Sequence, residues 1–168
     1  MAGRNRLIVV RHAEAHPLGY GDTTDDPQRQ LTENGALQAQ RLAVVLFRLG
    51  LTEPLVLSSP FARARQTADL IAAGTLGRVE ERVWVAGASV AEVEGEARRA
   101  IVVNDPAAVI LVGHEPTVGL LIGRLLDRAH GTALPLGTAT AVCVDLPSDP
   151  GGKLCWWISH QVARVLAD

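Results

Sequence analysis

This chain of 168 residues has little cysteine and no long apolar run. Its two cysteines, Cys143 and Cys155, are too few for a disulfide scaffold and lack the spacing of metal ligands, so we expect them to be reduced and partly buried in the last two strands. No apolar run approaches the length of a membrane helix, and Leu7–Val10 is too short for the core of a signal peptide. We therefore expect a cytoplasmic protein that does not associate with membranes.

The chain also lacks an excess of positive charge. Its formal net charge is −2 and it contains no run of basic residues, which argues against a nucleic-acid-binding protein. Hydrophobic residues make up 48% of the sequence, which excludes disorder. The length fits one domain, and we see no repeat or linker, so we expect a single domain over residues 1–168.

Strand-like apolar runs alternate with helix-like segments. This alternation predicts an α/β fold: a three-layer α/β/α sandwich whose central sheet is mostly parallel, with an antiparallel hairpin at one edge. The predicted strands are Arg6–Val10, Leu55–Leu57, Val79–Val85, Val109–Val112, Thr138–Leu146 and Leu154–His160, the last two joined by a turn over 147–152. The predicted helices are Thr32 (N-cap) to Gly50, Ser59 (N-cap) to about Gly74, Ser89–Val103, and Pro116 to about Leu126.

The first strand gives the most informative pattern in the sequence. The apolar run Leu7–Val10 is typical of a buried parallel strand and stops at the pair Arg11-His12. Ligands of open α/β sheets bind just beyond the carboxyl ends of the strands. We therefore expect an imidazole and a guanidinium side by side in a ligand-binding site. This pair suits an anion, above all phosphate.

Two further strand ends carry similar groups. The second predicted strand leads through Ser58 and Ser59 into a helix whose first turn carries Arg63, and the fourth ends just before His114. The starts of the following helices offer unpaired N–H groups and the positive end of a dipole, which favour an anion. We therefore expect two histidines and two arginines to meet in one crevice.

Phosphoryl transfer suits this combination of side chains. A neutral imidazole can attack phosphorus and form a covalent phosphohistidine that water later hydrolyses. Arginine forks can clamp the equatorial oxygens, and the second histidine can donate to the phosphoryl group. The scheme requires neither a metal nor another cofactor.

Three motifs resemble the signatures of the histidine phosphatase superfamily, to which phosphoglycerate mutases and acid phosphatases belong. They are Arg11–Glu14, Ser59–Thr67 and Gly113–Pro116. The short chain and the segment Arg29–Gly35 resemble the small bacterial phosphohistidine phosphatases of the SixA type. The resemblance runs from about Leu7 to the final strand and so covers nearly the whole chain.

The resemblance implies a role for each matching residue. It implies that His12 is the nucleophile, that Arg11 and Arg63 bind phosphate, and that His114 is a second catalytic histidine that donates to phosphate. Ala13 stands where many members have glycine, a small change that should leave room beside the phosphate in the substrate-binding loop.

One expected group is missing. Larger members of the superfamily supply a carboxylic acid after the third strand to protonate the leaving oxygen, but Val83–Gly87 contains none. Glu80 and Glu81 lie slightly earlier and Glu115 follows the second histidine; none of them is assigned as the acid. An alkoxide, with a conjugate-acid pKa of about 15.7, needs such a donor far more than imidazole, with a pKa of about 6.5. The absence favours a good leaving group, such as the imidazole of phosphohistidine.

Each candidate also has an ordinary structural interpretation. His12 and His114 could be core histidines, and Arg11 and Arg63 could be solvated, but their common place beyond strand ends favours a site.

Other polar residues are expected at its periphery or in supporting roles. Glu14 either orients the loop after the first strand or is exposed. Of the remaining residues, we expect Arg65 to be exposed, Thr67 to pack, Ser58 and Ser59 to cap, His160 to be structural, and His16, Tyr20 and His130 to lie in loops near the mouth of the site.

Together these features predict a phosphatase that works through a phosphohistidine on His12. The resemblance implies protein phosphohistidine as its substrate, so that the partner is a phosphorylated protein. The alternatives are a small-molecule phosphomonoesterase and a phosphoprotein-binding module with little turnover. A monomer is the favoured oligomeric state.

Overall fold

The computed structural model describes residues 5–21, 23–104, 108–127, 131–146 and 151–168. Their strands are β1 (Arg6–Arg11), β2 (Leu55–Ser58), β3 (Arg78–Glu81), β4 (Val109–Gly113), β5 (Ala141–Asp145) and β6 (Lys153–Ile158). Their helices are α1 (Glu33–Arg48), α2 (Ala62–Thr75), α3 (Trp84–Gly87), α4 (Val90–Asn104), α5 (Thr117–Leu126) and α6 (His160–Ala167), with a 3-10 turn at Asp26–Gln28. In this part of the chain, no helix is long and apolar enough to cross a bilayer.

The strands form one sheet in the order β3-β2-β4-β1-β5-β6. The pairs β3–β2, β2–β4 and β4–β1 are parallel, whereas β5 runs antiparallel to both β1 and β6. The predicted mostly parallel sheet with an antiparallel edge hairpin is confirmed. Residues 147–150 of the predicted hairpin turn lie outside the described residues.

Each face of the sheet buries its own apolar layer because side chains alternate along a strand. In β1, Leu7 and Val9 pack with α3, α4 and α5, whereas Ile8 and Val10 pack with α1, α2 and α6. All four side chains are fully buried, and each stabilises the fold by about 1.5–3 kcal/mol. The predicted three-layer sandwich is confirmed.

The path of the chain leaves a crevice at the carboxyl ends of the central strands β1, β2 and β4. The connections after β1 and β2 lead to helices on one face, whereas the connection after β4 leads to α5 on the other face. Because β4 lies between β1 and β2, neighbouring strands send their chains in opposite directions, and this arrangement opens a ligand site at their carboxyl ends.

Two predicted boundaries near the site are wrong. The third predicted strand ends at Glu81 instead of Val85: the chain turns at Arg82, and Val85 packs into the core from the short helix α3. Helix α2 begins at Ala62 instead of Pro60, because Ser59 Oγ accepts a hydrogen bond from Phe61 N in a turn before the helix.

Helix α6 was not predicted from the sequence. Its N-cap, Ser159, accepts a hydrogen bond from Val162 N, so that His160 begins a helix and does not end a strand. Strand β5 correspondingly begins at Ala141, three residues later than predicted.

The two cysteines face each other across β5 and β6. Cys143 is buried and Cys155 is exposed, so the expectation of partial burial is wrong for both. The register shifts beside Cys143, and this irregularity leaves Cys155 between the partners of Cys143 and Val144. Burial and the neighbouring Cys155 thiol raise the pKa of Cys143 to about 12, which makes it an unreactive thiol.

Candidate active site

The ends of β1, β2 and β4 bring the two predicted histidines together. The ring centroids of His12 and His114 lie 5.2 Å apart. Arg63, in the first turn of α2, donates from Nε to His12 Nε2 at 3.2 Å. Arg11 is close enough for its charge to lower the pKa of both histidines. The four side chains expected in one crevice therefore lie around it.

The hydrogen bonds of His12 define its tautomer. Nδ1 lies 2.7 Å from the carbonyl oxygen of Ala13, which can only accept, so the proton is on Nδ1. Nε2 then carries a lone pair, and it accepts the bond from Arg63 Nε. The ring thus presents an unprotonated nitrogen to the crevice.

Both rings are neutral at physiological pH. Burial is the main cause that lowers the pKa of His12 to about 4; Arg63 and Arg11 lower it further, against the bond to Ala13, which raises it. Burial, His12 and Arg63 lower the pKa of His114 to about 3. A buried imidazole among cations resists protonation because water no longer stabilises the added charge.

Asp26, in the 3-10 turn, holds the outer edge of Arg63. Its backbone oxygen accepts from Arg63 Nη1 at 2.7 Å and its Oδ2 accepts from Nη2 at 2.9 Å. Its Oδ1 accepts from Arg29 Nη1 at 2.8 Å. These bonds lower the pKa of Asp26 and keep it ionised. Two of the five guanidinium N–H groups of Arg63 are left over for a ligand.

A second chain of contacts holds Arg11. Its Nη1 donates to the carbonyl oxygen of Leu136 at 2.7 Å, and Glu115 accepts from the Leu136 N–H at 2.7 Å. Glu115 therefore helps to position Arg11 indirectly, through Leu136 in the loop before β5. Among the described residues, Arg11 Nε and His114 Nδ1 are buried without a hydrogen-bond partner.

Thr67 and Glu14 fix the loop after β1. The Thr67 hydroxyl accepts from Ala13 N at 3.0 Å and donates to the Arg63 carbonyl at 2.7 Å, so it does more than pack. Glu14 accepts from the Thr32 hydroxyl and from Asn34 Nδ2, which agrees with the orienting role of the two considered. One network thus joins the loop of His12 to the starts of α1 and α2.

The comparisons with known proteins agree with this geometry. Residues 7–108 match the family model of the histidine phosphatase superfamily, branch 1. This chain belongs to that superfamily. An uncharacterised protein of Picosynechococcus is 35% identical over 116 residues, which are 67% of this chain and 68% of that protein. Family membership supports phosphatase activity and leaves the substrate class open.

Solved structures of histidine phosphatases share the fold. The protein histidine phosphatase SixA, solved with tungstate, superposes with a TM-score of 0.79 at 26% identity, over 93% of this chain and 97% of SixA. The α-ribazole phosphatase of Shigella flexneri gives a TM-score of 0.72 at 19% identity over 92% of this chain and 96% of that one, which shows the fold alone.

The three glutamates considered as proton donors are engaged elsewhere in this histidine phosphatase. Glu80 pairs with Arg78 and Arg82, and Glu81 pairs with Arg65. Glu115 binds Leu136 N as described above. The carboxylate next to the crevice is that of Asp26, which was not among the candidates predicted from the sequence. The spacing Asp26-x-x-Arg29 could have pointed to this residue, because an aspartate and an arginine three positions apart can pair across one turn. These two form an ion pair across the 3-10 turn.

The remaining candidates differ in their relation to the crevice. Ser59 Oγ contacts His114 Nε2 at 2.8 Å, so this serine positions the ring besides closing the turn. His16 and Tyr20 stack with their centroids 3.7 Å apart, beside a cavity of about 270 Å³ whose lining includes Arg29. The side chain of Arg65 is 38% exposed, as expected. His130 lies outside the described residues.

Proposed function

We propose that this histidine phosphatase hydrolyses phosphoryl groups through a covalent phosphohistidine on His12. The observation that carries the proposal is the unprotonated Nε2 of His12, which shares the crevice with Arg63 and with the ring of His114. A neutral imidazole in a ring of cations is both a nucleophile and part of an anion site.

The first step is in-line attack of His12 Nε2 on phosphorus. The new N–P bond forms as the bond to the leaving group breaks, and the leaving atom takes the electron pair. As the N–P bond forms, Arg63 Nε gives up its hydrogen bond to Nε2, because both use the same lone pair. Arg63 then offers this N–H and its two remaining N–H groups to the phosphoryl oxygens, and the unpartnered Arg11 Nε and His114 Nδ1 can be satisfied by the same anion. Satisfying a buried donor removes a cost of about 1–3 kcal/mol.

The second step is attack of water on the phosphohistidine. The phosphorylated ring retains its proton on Nδ1, where the Ala13 carbonyl oxygen stabilises the resulting positive charge. When water attacks, Nε2 takes back the electron pair and His12 leaves as a neutral imidazole. The Ala13 carbonyl therefore supports both steps without a metal or another cofactor.

The proposed substrate is a protein phosphohistidine. The support comes from the proton balance: Asp26 is ionised, and Glu80, Glu81 and Glu115 are bound elsewhere. Among the described residues, no carboxylic acid therefore contacts the histidines as a proton donor. An imidazole leaving group tolerates this far better than an alkoxide does.

A small-molecule phosphomonoesterase is the second candidate. The cavity beside His16 and Tyr20 favours it, because a stacked pair next to Arg29 can hold a compact organic group attached to the phosphate. Such an enzyme would bind its substrate through the leaving group, so that removing the stack would raise KM for that substrate.

A panel of substrates tests the proposed function. We expect kcat/KM for a phosphohistidine peptide to exceed that for ribose 5-phosphate and for p-nitrophenyl phosphate. His12→Ala should abolish turnover of all three. Faster turnover of the sugar phosphate than of the peptide, together with a raised KM for it in Tyr20→Ala, would identify the small-molecule enzyme instead.

A further inference from the structure

Asp26 carries a carboxylate that the proposed reaction does not use directly. One guanidinium separates it from the nucleophilic nitrogen, because Arg63 bonds Asp26 Oδ2 through Nη2 and His12 Nε2 through Nε. The charge of Asp26 also raises the pKa of His114, which places the carboxylate within electrostatic reach of the second ring. Any leaving group bound at the crevice therefore lies near a fixed negative charge.

Two properties determine the role of this carboxylate: it cannot donate a proton, and it can still accept hydrogen bonds. Because the bonds from Arg29 and Arg63 keep it ionised, it has no proton to give to a leaving oxygen. Its side chain is 46% exposed, and a carboxylate offers about four acceptor positions, of which the side chains of Arg29 and Arg63 occupy two. Asp26 is thus an acceptor with free capacity at the mouth of the crevice.

A hydrogen-bond acceptor at this position suits the leaving group of phosphohistidine, whose distal ring nitrogen can carry a proton. When the distal ring nitrogen carries a proton, cleavage sends the P–N electron pair to the proximal nitrogen and releases a neutral imidazole. Without that proton, the same cleavage releases an imidazolate anion, which is a much poorer leaving group. A hydrogen bond to the protonated ring favours this reactive form. A phosphate ester has no corresponding N–H group.

We infer that Asp26 is a specificity-determining residue that accepts the distal N–H of a phosphohistidine leaving group. It thereby favours phosphohistidine over substrates whose leaving group lacks such an N–H, phosphate esters among them. The inference rests on the proposed function, since it requires the phosphoryl group to lie between His12 and His114. In the step itself, the His12–phosphorus bond forms, the substrate P–N bond breaks, and the proton stays on the distal nitrogen beside Asp26.

Asp26→Asn tests the inference, because the amide keeps the shape of the side chain and removes its charge. Asp25→Asn is the matched control: it removes the same charge from the preceding residue, which is exposed and makes no capping bond. kcat/KM is measured with a phosphohistidine peptide, phosphoramidate and p-nitrophenyl phosphate, and the melting temperature of each variant confirms folding.

In Asp26→Asn, we expect kcat/KM for the phosphohistidine peptide to fall at least about tenfold, as for the loss of one charge-assisted hydrogen bond. Phosphoramidate and p-nitrophenyl phosphate have leaving groups without a distal ring N–H, so their values should fall clearly less than that for the peptide, and Asp25→Asn should match the wild type on all three substrates. The alkaline limb of kcat on the peptide should also move to lower pH, because the bound ring loses the acceptor that retains its proton.

Equal losses on all three substrates would overturn the inference, since Asp26 would then only position Arg63. Unchanged turnover of the phosphohistidine peptide in Asp26→Asn would also overturn it while leaving the proposed function intact. A wild-type protein that cleaves p-nitrophenyl phosphate and neither N-phosphorylated substrate would contradict both the inference and the proposed substrate.

Discussion

The protonation of His12 is determined by its immediate neighbours. Burial and two nearby guanidiniums disfavour the imidazolium form, and the Ala13 carbonyl directs the one remaining proton to Nδ1. His114 is subject to similar forces, with His12 itself as one of the positive neighbours when it is charged. The site therefore holds two neutral imidazoles until an anion arrives.

NMR titration checks this state directly. In the protein labelled at its histidines, the ring signals of His12 and His114 should not titrate between pH 8 and pH 5.5, since their pKa values are about 4 and about 3. An unperturbed histidine would have its midpoint near pH 6.5. Signals that vanish in His12→Gln and His114→Gln assign the two rings. A midpoint above pH 6 for either ring would contradict the geometry.

Thr67→Val tests the hydrogen bond that positions the loop of His12. The valine keeps the volume of the side chain but leaves the buried Ala13 N–H without its acceptor, at a cost of about 1–3 kcal/mol. Thr75→Val is the matched control on the same helix, since the buried Thr75 hydroxyl likewise donates one turn back, to Ile71, away from the crevice.

We expect Thr67→Val to lower kcat/KM about tenfold or more and Thr75→Val to leave it near the wild-type value, with activity and melting temperature measured in parallel. Equal activity of the two variants would mean that the loop keeps its position without Thr67.

Helix α1 supports the loop after β1 through an unusually close approach. A Cβ atom at Gly35, in the first turn of this helix, would lie 1.9 Å from the carbonyl oxygen of Glu14. The same oxygen accepts from the N–H of Thr32, the N-cap of the helix. The start of α1 can pack against the loop of His12 only because residue 35 has no side chain.

Gly35→Ala should therefore push the helix and the loop apart. We expect a lower melting temperature and a loss of activity, because the backbone oxygen of Glu14 cannot move without moving the nucleophile loop. Gly95→Ala is the control: no atom lies within 4 Å of its added Cβ, and alanine in helix α4 should stabilise the protein by up to about 1 kcal/mol. Wild-type activity in Gly35→Ala would contradict the proposed coupling.

The elements most accessible from the sequence were those with an uninterrupted pattern. The apolar run Leu7–Val10 and the N-cap Thr32 gave β1 and α1 nearly to the residue, because strand burial and capping are local properties. Helix α3 and the role of Asp26 could not be predicted in this way. Val85 packs in the core against residues that are distant in the sequence, so the local pattern does not determine its helical conformation. Asp26 gains its role from Arg63, which lies 37 positions further along the chain.

At the scale of the whole molecule, the neutral histidines couple folding to pH. Between pH 6.5 and pH 4, an unfolded chain protonates the histidine at position 12, while the folded protein keeps it neutral. The unfolded state then binds more protons, so the stability is complete above pH 6.5 and falls as the pH drops towards 4. A shift from 6.5 to about 4 corresponds to about 3 kcal/mol.

Urea unfolding at pH 7 and pH 4.5 measures this coupling. We expect the wild type to lose more free energy of unfolding between these pH values than His12→Gln does, by about 2–3 kcal/mol. The contributions of the other titratable groups cancel in the comparison, except that of His114, whose pKa His12 itself lowers. Parallel losses in the two proteins would show that His12 is not held neutral in the folded state.

The central claim is that His12 takes the phosphoryl group from the substrate. Rapid quenching during turnover of phosphoramidate or p-nitrophenyl phosphate, followed by peptide mapping by mass spectrometry, tests it most directly. The account predicts one phosphorylated peptide, modified at His12, with an adduct that is labile in acid, stable in alkali and absent from His12→Ala. Turnover that persists in His12→Ala, a phosphoryl group on another residue, or phosphate binding with neither adduct nor turnover would contradict the account.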